Sequence, residues 1–169
     1  MKNNYVTMRL ELSLLETTDA DFILDLLNTE GWLRFIGDRQ VRTQEDAQNY
    51  IQKIANNPAI LYWVVKTKKE RTPIGVISFI KRDYLAHHDI GFAFLPAFLH
   101  QGFAYEATGV ILKDLLADPK HPMILATTLK DNVTSIRLLE KLGFQFVREI
   151  RREQDTLSLY SIQAGSLLY

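Results

Sequence analysis

The sequence predicts an α+β fold with a mixed sheet, and three observations predict it. Apolar periodicity switches between two residues and about 3.6 in an order that opens with one strand, passes through two helices, and only then gathers strands. Residues 123–129 form an uncharged run of the kind that lies inside a sheet with both faces covered. No repeat, low-complexity tract or linker interrupts the 169 residues, so residues 1–169 read as a single domain with one substantial core.

The elements follow in order. Residues 7–14 put Met8, Leu10, Leu12 and Leu14 on one side and Arg9, Glu11 and Ser13 on the other, the period of a half-buried strand. Thr18 heads a helix with Asp19 and Asp21 in its first turn, where negative charge meets the positive end of the dipole. Its buried stripe is Phe22, Ile23, Leu26 and Leu27, and it is expected to end near Gly31. After a connection over residues 32–41, Thr43 and Asp46 make a capping-box pattern ahead of Ala47, Tyr50, Ile51 and Ile54. Residues 60–66 and 74–81 are β-branched and aromatic runs joined by a charged turn, an antiparallel hairpin. Residues 89–95 are a third such run, stopped by Pro96. From Ala104 the period becomes helical, with Ala107, Ile111, Leu112, Leu115 and Leu116 recurring until Asp118 and Pro119. After the 123–129 strand, Leu138, Leu139 and Leu142 share a helix face, Arg137 and Lys141 take the other, and Gly143 supplies a left-handed stop. Strands at 144–150 and 157–162 complete the sheet.

Composition narrows the function. Twenty basic and twenty acidic side chains cancel, so no global field draws the chain to nucleic acid or an anionic membrane. A polyanionic partner must therefore be met by a local site. The absence of cysteine excludes disulfides, a thiol nucleophile and thiolate metal ligation, and suits a reducing compartment. The N-terminal residues lack a signal-peptide apolar run, no apolar stretch is long enough to span a bilayer, and a cytoplasmic location is expected.

Two segments carry chemistry. Between the 89–95 strand and the helix at Ala104 lie His100, Gln101, Gly102, Phe103, Ala104, Tyr105, Glu106 and Ala107. Strand, glycine turn and helix start is the geometry in which backbone N–H groups converge on an anion such as phosphate. Gly102 lets that anion approach the main chain without a Cβ in the way. Later, Asn132, Ser135, Leu138, Leu139, Glu140, Lys141, Leu142, Gly143 and Phe144 read N-x-x-S-x-x-L-L-E-K-L-G-F. By physics alone that is a capped helix ending in a strand.

Together the two phrases resemble the GNAT superfamily of acyl-CoA N-acyltransferases. The first resembles its pyrophosphate loop: Gly102 and Ala104 match, while Leu99 stands where Gln or Arg is usual and His100 where an extra glycine is frequent. Gly102 to Ala107 also resembles the Gly-Tyr-Ala-x-Glu-Ala phrase of the ribosomal-protein (Rim-type) and spermidine acetyltransferase branch. Thr7 to Leu10, the Ile74 and Gly75 pair and Ile90-Gly91-Phe92 fit the same branch. The resemblance implies a GNAT fold of roughly six to seven mostly antiparallel strands, with a parallel, splayed central pair flanked by about four helices. It implies acetyl-CoA as cosubstrate, without a metal. The acceptor would be a primary amine: a ribosomal-protein N-terminus, a polyamine or another small amine. Families of this kind are often dimeric, so a homodimer is admitted.

Site residues follow from the same resemblance. The main chain of Phe92, Ala93, Phe94 and Leu95 would hold the pantetheine arm and the thioester carbonyl, and His100, Gln101, Gly102, Phe103, Ala104 and Tyr105 the phosphates. Asn132 would bond the pantetheine amides or an ordered water. Amine acylation needs a neutral amine, stabilisation of the oxyanion and a proton for the departing thiolate. Asp89, thirteen positions before Gly102, stands where the superfamily often places its catalytic carboxylate. It would act directly, through water, or only by orienting the amine, and a strand-end surface carboxylate is the alternative. Ser135 stands where the ribosomal branch places a serine near the sulfur, with helix capping as its other use. Trp32, Phe35 and His88 are candidates for the acceptor side, and Arg34, Arg39 and Arg42 either read an acidic acceptor or solvate a loop. Without cysteine, transfer would be direct, through a ternary complex. Two rivals stand beside this reading: a catalytically silent CoA-binding domain of the same fold, and a plain α+β interaction module.

Overall fold

The computed structural model describes residues 2–152 and 154–166. An eight-stranded sheet, in the order β1-β2-β3-β4-β5-β6-β8-β7, separates two helical layers. The N-terminal hairpin is β1 (Asn4–Val6) and β2 (Leu10–Leu14), and β2 pairs antiparallel with β3 (Ile60–Thr67). Then follow β4 (Pro73–Ile80) and β5 (Asp89–Phe94), antiparallel in turn. β6 (Met123–Leu129) lies parallel to β5, and β8 (Asp155–Gln163) and β7 (Gln145–Arg152) form the far edge. On one face α1 (Ala20–Leu27), α2 (Glu30–Phe35) and α3 (Gln44–Ala55) bury Phe22, Ile23, Leu26, Trp32 and Ile51 against Val64 and Val76. On the other, α4 (Phe103–Ala117) and α5 (Val133–Leu142) bury Ile111, Leu112, Leu139 and Leu142 against Trp63, Ile77, Ile90 and Ile124. Burial of each such side chain stabilises the fold by about 1.5–3 kcal/mol before conformational entropy is subtracted.

The predicted elements are present, with three corrections. The strand expected over residues 7–14 begins only at Leu10, residues 7–9 being a turn with an unforeseen short strand, β1, ahead of it, and Met8 at that turn is 88% exposed rather than buried. The turn arises because Thr7 bonds Leu10 locally, its N–H reaching the Leu10 carbonyl at 2.9 Å and its Oγ accepting from the Leu10 N–H at 3.0 Å. Thr18 is not a cap. Residues Thr17–Asp19 form a 3₁₀ turn whose capping box joins Glu16 to Asp19, and the Asp19 carboxylate also pairs with Lys66 at 3.0 Å. The first helix stops at Leu27, not near Gly31. Thr29 then caps a new helix through the Trp32 N–H, so Gly31 sits inside α2 and the first four residues of the expected 32–41 connection are helical. The added strand β1 and the divided first helix explain why the described residues form eight strands and five α-helices rather than fewer. The capping box of Thr43 and Asp46 and the left-handed stop at Gly143, with φ 99°, match the sequence reading.

The N-terminal turn has a partner far away in sequence. Thr7 Oγ donates to Glu106 Oε1 at 2.6 Å, the Arg9 N–H donates to the same oxygen at 2.9 Å, and Arg9 Nε reaches Glu106 Oε2 at 2.7 Å. Arg9 also donates to the Gln101 carbonyl at 3.0 Å and lies over the Phe103 ring at 4.4 Å. One carboxylate thus braces the loop before α4 against the β1–β2 turn. Burial works against the Glu106 charge, but these donors outweigh it and hold its carboxyl below the usual range. Its stabilising contribution is therefore complete above the ordinary glutamate pKa and is lost as pH falls toward the depressed value. Glu106→Gln should lower the melting temperature at neutral pH and flatten its dependence on pH in the acidic range. An unchanged acid limb in the melting curves would remove Glu106 as the brace.

Candidate active site

β5 and β6 share a single register point, Asp89 opposite Leu125, with the Leu125 N–H donating to the His88 carbonyl at 2.9 Å. Beyond it the two strands diverge. Along β5 the backbone groups alternate between neighbours: the Leu95 N–H bonds the Ile74 carbonyl of the β4 side at 2.9 Å, so odd positions face β4 and even positions face β6. The main chains of Phe92 and Phe94 consequently face the gap, whereas Ala93 and Leu95 turn theirs to β4. Leu95 is fully used, since its carbonyl also accepts from the Phe98 N–H at 3.0 Å. The gap opens into a cleft of about 1350 Å³ that runs from α2 and α3 on one side to the α4 N-terminus and α5 on the other.

At the α4 end, Pro96–Phe98 make a 3₁₀ turn, and His100 and Gly102 are both left-handed, with φ 59° and 79°. The first intrahelical bond runs from the Glu106 N–H to the Gly102 carbonyl. The Phe103 and Ala104 N–H groups therefore have no acceptor within the helix, and the N-cap residue, Gly102, has no side chain to cap it. Their donors and the helix dipole make an anion site at the cleft wall. His100, Gly102, Phe103, Ala104 and Tyr105 all line the cleft. Gln101 does not: its side chain donates back to the Ala97 carbonyl at 2.8 Å. Two cations unforeseen as ligands, Arg137 and Lys141 of α5, line this wall as well, with Lys141 4.6 Å above the Tyr105 ring.

At the root of the splay sits Asp89, 2% exposed. Its Oδ2 is 3.0 Å from Arg82 Nε, a close ion pair without hydrogen-bond alignment, and accepts from Thr127 Oγ1 at 3.2 Å. Its Oδ1 is buried with no hydrogen-bond partner among the described residues, on a residue that lines the cleft. Asp89 is thus not a surface carboxylate. Burial pushes its carboxyl above the ordinary range, with Arg82 and Thr127 opposing. For Arg82, burial disfavours the charge, but Asp89 and Tyr84 outweigh it and the guanidinium is held more firmly charged. Across the gap, Asn132 caps α5 by accepting the Ser135 N–H at 3.2 Å. Capping is therefore the work of Asn132, and the half-buried Ser135 hydroxyl lines the cleft with no hydrogen-bond partner among the described residues.

The acceptor candidates divide. Trp32 lines the cleft but belongs to the core on the α1–α3 side, 4% exposed, with its indole N–H bonded to the Gly37 carbonyl. Phe35 lines the cleft under Arg34, whose guanidinium lies 4.8 Å from its ring. His88 is not brought there. It stacks on Phe79 at 4.6 Å and abuts His121 at 5.0 Å, because successive residues of a strand point to opposite faces and Asp89 takes the cleft face. Sequence reasoning missed Arg82, Tyr50 and Tyr62. Tyr62 and Val64 share a parity that marks the α1–α3 face, but nothing in the sequence couples Arg82 to Asp89.

The comparisons with known proteins agree with this geometry. A family model described as "Acetyltransferase (GNAT) domain" matches residues 9–145. The chain is 28% identical over 141 residues to the uncharacterized N-acetyltransferase YnaD of Bacillus subtilis, covering 82% of this chain and 81% of that one. Two solved structures share the fold. The ribosomal-protein-S5-alanine acetyltransferase of Vibrio fischeri has a TM-score of 0.80 at 18% identity over 99% of this chain and 100% of its own. The spermidine N-acetyltransferase of Vibrio cholerae, solved with CoA and spermine, has a TM-score of 0.79 at 18% identity over 95% and 98%. A parallel strand pair joined at one point, a glycine-led helix start beside it and a match over most of the length make this chain a member of the GNAT family, an N-acetyltransferase.

Proposed function

We propose that this chain is a single-domain, cytoplasmic, acetyl-CoA-dependent enzyme that moves an acetyl group directly to a primary amine in a ternary complex. The observation that carries the reading is the single β5–β6 register point, which leaves a main-chain edge open beside the uncapped start of α4. The residues fit the cosubstrate. The Phe92 and Phe94 edge suits pantetheine amides, the Phe103 and Ala104 N–H groups suit a pyrophosphate, and Arg137 and Lys141 add positive charge on the same wall. When bound, acetyl-CoA supplies an activated acetyl thioester. An N–H of the β5 edge then stabilises the acetyl oxygen as negative charge builds on it. Asp89, raised by burial, accepts the amine proton directly or through water at its unpartnered Oδ1. Ser135 donates a hydrogen bond to the departing sulfur.

Acetyl-CoA should raise the melting temperature. Mass spectrometry over a panel of amines should find an acetylated product, and a protein that binds acetyl-CoA yet acetylates none of them would sink the enzymatic reading for this chain. Because Asn132 holds the α5 cap, Ser135→Ala should leave melting temperature and acetyl-CoA affinity nearly unchanged while kcat falls by roughly tenfold or more. A defect confined to acetyl-CoA binding would assign Ser135 to the cofactor instead.

A further inference from the structure

The acceptor end of the cleft carries a charge pattern that its resemblance to polyamine enzymes does not explain. Each acidic residue lining that end already has a basic neighbour. Asp89 pairs with Arg82, and Asp131 pairs with Arg34 at 3.1 Å across two lining segments. Asp155 stands opposite Arg152 in the β7–β8 register. The basic residues are in surplus. Of the three arginines on α2 and its connection to α3, Arg34 is tied to Asp131, and Arg42 is tied to Asp38 and to Asn28 Oδ1. Arg39 lines the cleft with no ion pair or hydrogen bond among the described residues, and Lys53, one turn beyond Tyr50 on α3, lines it likewise.

Between them lies a hydroxyl pair. Tyr62 and Tyr50 both line the cleft, each within electrostatic reach of the other, and the charges of Arg39 and Arg82 both act on the Tyr62 phenol. Burial and Tyr50 push that phenol above its ordinary range while the two guanidinium groups pull it back, so it stays a neutral donor at any working pH. Two guanidinium groups, a lysine and neutral hydroxyls make a set that favours an anion. A few residues away, the buried Oδ1 of Asp89 lacks a donor and suits an amine. A diamine or polyamine would leave its far ammonium beside Arg39 and Lys53, where like charges repel.

Resting on the acetyltransferase reading of the same cleft, we propose that the acceptor is a primary amine that also carries an anionic group, as an amino acid does. The amine lies at Asp89, and the carboxylate or phosphonate lies at Arg39 and Arg82, with Tyr62 donating to it. Arg39 is thus a specificity-determining residue, while Arg82 serves both the anion and the placement of Asp89.

The test is equilibrium binding to the CoA-saturated protein by calorimetry. The probes are glycine, β-alanine and 4-aminobutyrate, each set against the alkylamine and the diamine of matching length, with 3-aminopropylphosphonate as the phosphate-like arm. At least one anionic amine should bind about tenfold or more tightly than its alkylamine, and the diamine should bind weakest. Whether carboxylate or phosphonate binds better identifies the source of the anion. Arg39→Ala should erase the preference and Arg39→Lys should restore part of it. Arg39 lies in an exposed loop, so a matching melting temperature checks that the fold is intact. Equal binding of the members of each set, tighter binding of diamines, or a preference that survives Arg39→Ala overturns the proposal. The readout needs no turnover, so a failure of charge selection is distinct from a failure to transfer acetyl groups.

Discussion

Asp89→Asn is expected to lower kcat/KM by about 10²- to 10⁴-fold at neutral pH, the range that a positioned general base supplies. The effect should depend on pH, and the sign follows from two titrations. The acceptor amine is largely an ammonium at pH 7, with a pKa near 10 for an alkyl amine, and must lose a proton before it attacks. A base is therefore most needed at low and neutral pH and hardly at all once the free amine dominates. The variant should be most impaired below neutrality and should approach the wild type toward pH 10. In the wild type, burial raises the Asp89 pKa, so activity falls as pH drops through a value above the ordinary aspartate range. That acid limb should vanish in the variant. Because Asp89 lies at the root of the splay, apart from the α4 anion site, the acetyl-CoA dissociation constant should hardly change. A ratio of wild-type to variant activity that stays constant with pH would assign Asp89 to positioning, through its ion pair with Arg82, rather than to proton transfer.

Much of the fold was legible because each feature has a local cause. The 123–129 strand, the α3 capping box and the Gly143 stop depend on neighbouring residues alone, and they stand where periodicity places them. The features that periodicity missed are side-chain bonds that periodicity does not register, some local, as the Thr29 cap, and some between distant segments. Residues 7–14 alternate as a strand throughout, yet the chain turns at Thr7 through its local bonds to Leu10, and Glu106, on α4, holds that turn by collecting donors from Thr7 and Arg9. The Thr7-to-Leu10 phrase and the Gly102-to-Ala107 phrase, separate in the sequence, are the two halves of one brace. The candidate site divides in the same way. Asp89, the glycine loop and the Asn132 and Ser135 pair were visible as phrases and Arg39 as one of three loop arginines, whereas Arg82, Tyr50 and Tyr62 reach the cleft through tertiary packing that no spacing encodes. His88 was misplaced for the simplest reason, since adjacent residues of a strand cannot share a face.

The largest structural effect should come from a glycine outside the cleft. Gly75 pairs with Phe94 across β4 and β5. A Cβ built there would stand 2.6 Å from Phe94 Cγ and 2.7 Å from the Ala93 carbonyl oxygen, and closer still to Phe94 Cδ1. Phe94 is buried in the α4–α5 core, so its ring has little room to retreat, and the carbonyl belongs to a strand paired along its length. Gly75→Ala should therefore destabilise the protein by about 1–3 kcal/mol, occasionally more, as overpacking does. At roughly 2–4 °C per kcal/mol for a chain of this size, the melting temperature should fall by several degrees. The same displacement moves the Phe94 main chain, which forms the open edge of the splay. The acetyl-CoA dissociation constant should rise together with the loss of stability, although residue 75 does not line the cleft. Gly91 is the useful comparison: a Cβ there meets only the Ser78 hydroxyl, at 2.7 Å, a single side-chain atom. Gly91→Ala should cost less stability and spare acetyl-CoA affinity. If Gly75→Ala lowered the melting temperature and left that affinity intact, the β5 edge would not be what holds the cosubstrate.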